Sequence, residues 1–291
     1  MTVIAPPAAP SFAADAVRSA RHTLGVVLRQ PALVLAWLIV AIAVGWAVAP
    51  GLFTSLSPYD GNPDAIFTPP TWEHPFGADR LGRDLFARAV YGAGTTLSAT
   101  LVAVAIAFIF GTIIGLAAGY FGRFADTAIM RLVDVLLAVP GLLLAMVMVS
   151  VLGYSTRNVA IAVGIASIAG FARVMRAEVI EVMAQDYIRA ADALGVSRAR
   201  AVLRHVLPNS LNSVIALAAL EVGSAILAVA SLGFLGYGAP PPEPEWGLLV
   251  AEGRDYLGTY PWIAIMPALS LAAVVISAHR ISVSLRKERR S

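Results

Sequence analysis

"DYIRAADALGVSRARAVLRHVLPNS", residues 186–210, is an arginine-rich stretch set between two long apolar segments. From Asp186 to Leu194 its residues favour helix, and Gly195 suits the left-handed position that ends one. Ser197 is an apt N-cap for a second short helix. In that helix Ala199, Val202, Leu203 and Val206 recur at i, i+3, i+4 and i+7, while Arg198, Arg200 and Arg204 lie off the stripe. Pro208 closes this element or begins the next. The pattern predicts a helix, a sharp turn and a second helix. A basic loop resting on anionic lipid accounts for the arginines. It does not account for the apolar stripe, the Ala190-Ala191 pair or the intervening glycine, so docking of the insert into another protein's groove is the favoured reading.

The flanking segments decide the setting. The chain has 291 residues, 58% hydrophobic and 13% charged, with a mean hydropathy of +0.78, well outside the range of an ordinary globular domain. A membrane crossing needs about 20 mostly apolar residues, with every backbone polar group satisfied inside the span. Segments 31–49, 96–118, 127–152, 157–173, 211–236 and 262–283 meet or approach that need, the fourth being short and expected to run on past Arg173. With the N-terminus inside, 16 of the 21 basic residues face the cytoplasm, which places both termini and the insert there. The expected class is therefore all-α, a polytopic membrane protein with six transmembrane helices. Residues 1–30 form a cytoplasmic tail and interfacial helix, 31–49 the first span and 50–95 an extracytoplasmic loop. Residues 96–283 form a five-helix core that carries the insert at 178–208, and 284–291 a basic cytoplasmic tail.

Several chemistries are excluded. The absence of cysteine removes disulfides, thiolate zinc sites and cysteine nucleophiles. The single lysine, Lys287, follows Arg286 rather than a glycine-rich loop, so no P-loop is present. His22, His74, His205 and His279 form no ligand pair, and no cofactor or metal is expected in this chain. Asp134 lies three residues after Arg131, the spacing of an ion pair on one helix face. Glu221, near the middle of the fifth span, must face a polar interior or a partner, and it would serve an ion-coupled secondary carrier. No inverted repeat of hydropathy accompanies it. Pro140, inside the third span, is a candidate kink or hinge.

The spacing Ala190-Ala191, Gly195, Leu207-Pro208 resembles the EAA loop of ABC importer permeases, with Arg189 where the glutamate of that motif stands. "HPFGADRLGRDLFARAVYGAGTTL" (74–97), "MRLVDVLLAVPGLLLA" (130–145) and "SLGFLGYGAPPPEPEWGLLV" (231–250) resemble the C-type permease subunit of oligopeptide and dipeptide importers. Val229 and Gly233 stand where those permeases usually carry a glutamate and a serine. The resemblance implies the type I ABC importer permease fold and a prokaryotic cell membrane location. It implies a heterodimer with a B-type permease subunit, two ABC ATPase subunits or one fused ATPase chain holding ATP and magnesium, and an extracytoplasmic peptide-binding protein; no nucleic acid is involved. It also assigns contact with the ATPase to Arg189, Ala190, Ala191, Asp192, Leu194, Gly195, Ser197, Arg198, Leu207 and Pro208. Import of nickel or another small solute is the alternative within the same superfamily. The outer loops carry nine acids against five bases, an acidic face that suits a basic patch on a partner.

Overall fold

The computed structural model describes residues 31–188 and 197–288. Helix α1 spans Pro31–Val48, and a loop with short 3-10 turns at Pro50–Leu52 and Pro63–Ala65 leads to α2, Leu85–Phe121. Then follow α3 (Arg123–Ala138), α4 (Gly141–Leu152) and α5 (Thr156–Met183). Helix α6 (Arg198–Ala201) passes through a π turn at Val202–Val206 into α7 (Leu207–Phe234), and α8 (Trp246–Gly253) and α9 (Trp262–Glu288) complete the order. Among the described residues β pairing is limited to two isolated bridges, Gly61 with Arg83 and Ala78 with Asp84, so the chain is all-α as expected. Among the described residues five helices are long and apolar enough to cross a membrane, and α3 with α4 makes a sixth crossing if the bent pair counts as one.

The bundle is organised around α2 and α5, its most extensive helix pair. Gly111, Gly115 and Gly119 recur every fourth residue on the face of α2 turned to α5. A Cβ on Gly115 would lie 2.4 Å from the Ala172 carbonyl oxygen and 2.7 Å from Met175 Cβ, so only hydrogen fits there. This small-residue stripe lets two backbones meet closely, the arrangement that drives helix association where lipid is as apolar as leucine. Phe171, Met175 and Val179 of α5 then seal against Ala107 of α2 and Val206 and Val214 of the insert and α7.

The expected boundaries change in three places. Helix α2 begins at Leu85, with the Asp84 carboxylate accepting the Ala87 N–H at 2.6 Å, so residues 85–95 of the expected loop are helix. At 37 residues α2 is about 55 Å long and overshoots the roughly 30 Å hydrocarbon core. The third expected span is two helices set 89° apart. Val139, extended before proline, and Pro140, which lacks an N–H, break the ladder outright where a kink was expected. Helix α5 runs to Met183, past Arg173 as expected. Residues 284–288 of the expected tail continue α9, and the expected segments 1–30 and 289–291 lie outside the described residues.

Substituting Gly115→Ala is expected to destabilise the purified protein by about 1–3 kcal/mol, the usual range for overpacking, read as a lower unfolding temperature in detergent. Gly170, which has open space around its Cβ position, serves as the matched control, and Gly170→Ala should leave that temperature unchanged or raise it.

Candidate coupling surface and intramembrane polar residues

Two ends of the bundle carry the chemistry: the insert end, where α5 leaves the core, and the loop end, where residues 49–84 and α8 sit. At the insert end Ile188 is 6% exposed, and Val202 and Val206 are buried beside it in the cluster built on Phe171, Met175 and Val179. The described residues on either side of 189–196 are therefore pinned to α5 and α7. Tyr187, Ser197, Arg200, Leu203 and Arg204 point to solvent. The apolar stripe expected across Ala199, Val202, Leu203 and Val206 is split, because Leu203 is 66% exposed while Val202 and Val206 are inside. The cause is the π turn: its wider i→i+5 spacing, with Leu207 N–H reaching Val202 O, rotates the register relative to a regular helix.

That turn also accommodates Pro208. Proline has no N–H and clashes with the carbonyl four residues back, so a regular helix through Arg204–Pro208 would be disrupted. Here Pro208 sits in the first turn of α7, and the chain continues from α6 to Phe234 without a break. Of the two expected roles, Pro208 therefore takes the second and begins the span, without breaking the helix that leads into it. Asn209 Nδ2 donates to the His205 carbonyl at 2.6 Å and supports the same turn. Arg189, Ala190, Ala191, Asp192, Leu194 and Gly195 lie outside the described residues. Ser197 is exposed, Arg198 opens α6, and Leu207 is half-buried.

Ion pairs tie α3 to α5 near this end. Arg176 holds both carboxylate oxygens of Asp126 through Nε and NH2. Arg173 NH2 donates to Asp134 Oδ1 at 2.7 Å. The partner of Asp134 is therefore Arg173 and not Arg131: packing of α3 on α5 brings a second helix's guanidinium to it, which outweighs spacing along its own helix. Glu221 lies at mid-length of α7, half-buried, and Ser167 Oγ of α5 donates to its Oε1 at 3.2 Å. This meets the expectation of a polar neighbour for a carboxylate inside a span.

The loop end holds what sequence reasoning missed. Arg83 Nε meets Asp79 Oδ2 at 2.6 Å, and Arg88 reaches the same oxygen at 3.2 Å and Glu252 Oε2 at 2.9 Å. Arg88 is fully buried and Arg83 and Asp79 are each 3% exposed. Two guanidiniums and two carboxylates thus clamp the loop and the start of α2 to α8. Glu245 caps α8, accepting from Gly247 N at 2.8 Å, Leu248 N at 2.9 Å and Thr96 Oγ1 at 3.1 Å. Glutamate is not among the favoured N-cap residues, so the capping signal was weak. Gly233 is needed there, since a Cβ would stand 2.0 Å from Glu245 Oε2. Phe67 stacks on Tyr260 with ring centroids 4.1 Å apart, fixing the loop to the head of α9. The expected acidic face is reduced accordingly, because Asp79, Asp84, Glu245 and Glu252 are spent on internal contacts: Asp84 caps α2 and meets His74 Nδ1 at 2.7 Å.

With this geometry in view, the comparisons define the class. Residues 111–290, more than half the chain, match the family described as binding-protein-dependent transport system inner membrane component. The chain belongs to that family and is a multi-pass permease subunit of an ABC importer, working with further permease and ATPase subunits. It is 42% identical over 240 residues to the dipeptide transport system permease protein DppC of Alkalihalophilus pseudofirmus, covering 82% of this chain and 79% of that protein. It is 37% identical to the glutathione transport system permease protein GsiD of Pectobacterium atrosepticum, covering 89% of this chain and 86% of that protein. The fold is also that of a chain of the inward-facing MetNI methionine ABC transporter, with a TM-score of 0.57 at 17% identity, covering 70% of this chain and 97% of that one. An amino acid ABC transporter gives a TM-score of 0.56 at 18% identity, covering 70% of this chain and 95% of that one. Family membership decides between an ATP-driven permease and an ion-coupled carrier using Glu221 in favour of the permease.

Two outcomes follow for the loop end. Arg88→Met leaves Asp79 and Glu252 sharing one guanidinium in a dry site and should cost about 3–5 kcal/mol, seen as a large drop in unfolding temperature. Burial holds the Glu245 carboxyl above its ordinary value of 4.5, against hydrogen bonds from Gly247, Leu248 and Thr96 that favour the charged form. The folded state thus takes up this proton more readily than the unfolded chain, and its contribution to stability declines as pH rises from 4.5 through the raised value. In unfolding temperatures measured across a pH series, the advantage of wild type over Glu245→Gln should shrink as pH rises.

Proposed function

We propose that this chain is the C-type permease subunit of an importer of oligopeptides or dipeptides. The relatives named above carry dipeptide and glutathione, both peptides, which favours a peptide over nickel or another small solute. The insert end faces the cytoplasm, as do both termini, and the loop end is extracytoplasmic; the distribution of arginine supports this orientation. A B-type permease subunit completes the pathway as a heterodimer. Two ABC ATPase subunits, or one fused chain, hold ATP and magnesium below, and an extracytoplasmic peptide-binding protein delivers substrate to the loop end.

The observation that carries this reading is the insert anchored at both sides. Ile188, Val202 and Val206 lie in the same buried cluster as the α5 and α7 side chains, while Tyr187, Arg200 and Leu203 are left exposed. A push on the segment 189–196 is therefore delivered to two spans. In thermodynamic terms, ATP must bind one arrangement of the ATPase pair more tightly than the other, and the insert transmits that preference to the pathway. Arg189, Ala190, Ala191, Asp192, Leu194, Gly195, Ser197 and Arg198 form the contact, with Leu207 and Pro208 as its root. Pro140 serves as the fixed corner between α3 and α4 about which the pathway wall turns, and Glu221 with Ser167 presents a polar group at mid-membrane.

The chain has no cysteine, so single cysteines report cleanly. Cysteine placed at Asp192 or Leu203 should cross-link to an ATPase subunit in the assembled transporter, with a yield that changes when nucleotide is added. Gly195→Trp should abolish peptide uptake while leaving the complex folded. Labelling of these positions by lipid probes alone, with uptake intact in Gly195→Trp, would sink the proposal.

A further inference from the structure

At the loop end, where α1 finishes and α5 starts, a cavity of about 490 Å³ opens between those helices and α2. Its upper wall is the rings of Trp46 and Tyr91, and its floor includes Val102 of α2 and Ala160 of α5. Trp46 is held in place by edge contacts with Phe86, 5.6 Å between centroids, and with Phe53. Across the mouth stand Arg157 and Glu243, both exposed and of opposite charge. Neither makes a hydrogen bond or ion pair among the described residues.

The start of α5 also points to an occupant. Thr156 lines the same cavity, with its Oγ1 closed off from it and unpartnered. Thr156 and Arg157 also open α5, a 28-residue helix whose Ser155 cap satisfies the Asn158 N–H. The first-turn N–H groups before it have no intrahelical acceptor, and such a terminus attracts an anion. The cavity lies where apolar spans end: α1 stops at Val48, and the Gly94 Cβ position is 3.4 Å from the Ala47 carbonyl. Trp and Tyr collect at that level in membrane proteins. Just below, Leu101 and Val102 are 63% and 45% exposed, an apolar wall facing hydrocarbon.

We propose that this cavity binds one phospholipid with a primary-amine headgroup. Its phosphate sits against Arg157 and the start of α5, its ammonium meets Glu243, and an acyl chain lies along Val102 and Ala160. A peptide also carries both charges, but it has no long hydrocarbon for a floor that opens sideways into the bilayer. The lipid joins α1 to the core at a point where they otherwise leave space. This site stands whatever solute the transporter carries; only the leaflet assignment rests on the orientation proposed above.

The test uses the transporter assembled with its partner subunits, extracted in mild detergent, with bound lipid counted by native mass spectrometry. Wild type should keep one phosphatidylethanolamine per copy of this chain through washing. Phosphatidylcholine, whose methylated amine cannot donate to Glu243, and inorganic phosphate should displace it poorly. Arg157→Ala and Glu243→Ala should each reduce retention about tenfold, the loss of one charge-assisted hydrogen bond. Val102→Trp should exclude the lipid by filling the floor with both charges intact. Unfolding temperatures of the three variants, compared in lipid-free detergent, should match wild type and show that the fold is kept. Retention unchanged in all three variants overturns the proposal. Displacement by free phosphate or by peptide also overturns it, in favour of an anion site or a substrate site, and so does a cysteine at position 157 that cross-links only to the partner permease.

Discussion

Close approach of α2 and α5 is the constraint on which the rest of the molecule depends. In a membrane, water does not push helices together, so contact must come from backbone-to-backbone packing. Gly111, Gly115 and Gly119 remove every side-chain atom that would hold the helices apart. Once they touch, the lower part of α5 is set against α2 and can carry Arg173 and Arg176 to Asp134 and Asp126 of α3. The same half of α5 offers Phe171, Met175 and Val179 to Val202 and Val206, so the insert inherits its footing from a glycine stripe many residues away in sequence.

The two ends of the bundle solve different problems. At the loop end charges are buried and matched, two guanidiniums against two carboxylates, and glutamate caps a short helix that enters between α2 and α7. Such a cluster is costly to desolvate and fails badly if one partner is lost, so it is better suited to holding one geometry than to adding stability. At the insert end charges are left exposed and the apolar contacts do the anchoring.

Much of this was legible in the sequence, for reasons that can be traced to particular residues. Apolar runs located the spans, because a bilayer demands about 20 such residues per crossing. Gly195, Ser197 and Leu207-Pro208 marked the insert. Less legible was anything that depends on a neighbour. Asp134 sits three residues from Arg131 and still pairs with Arg173. Arg83 and Arg88 read as outside bases and are buried. Leu203 belonged to an apolar stripe until the π turn ahead of Pro208 rotated it outward. The Gly111, Gly115 and Gly119 spacing was present to be read, since small residues every fourth position are the known mark of close helix packing.

Local chemistry by itself determined the class of the molecule: an all-α, multi-pass membrane protein lacking cysteine, lacking a P-loop lysine, and carrying a basic helical insert between two spans. These follow from hydropathy, composition and spacing along one chain, which act over a few residues. Tertiary structure alone decided that the third span breaks by 89° at Pro140, that Asp79, Asp84, Glu245 and Glu252 turn inward, and that Glu221 meets Ser167. Each of these turns on which side chain from a distant helix arrives at a given point, and that is set by helix packing angles and glycine-permitted distances, not by any pattern within the segment itself.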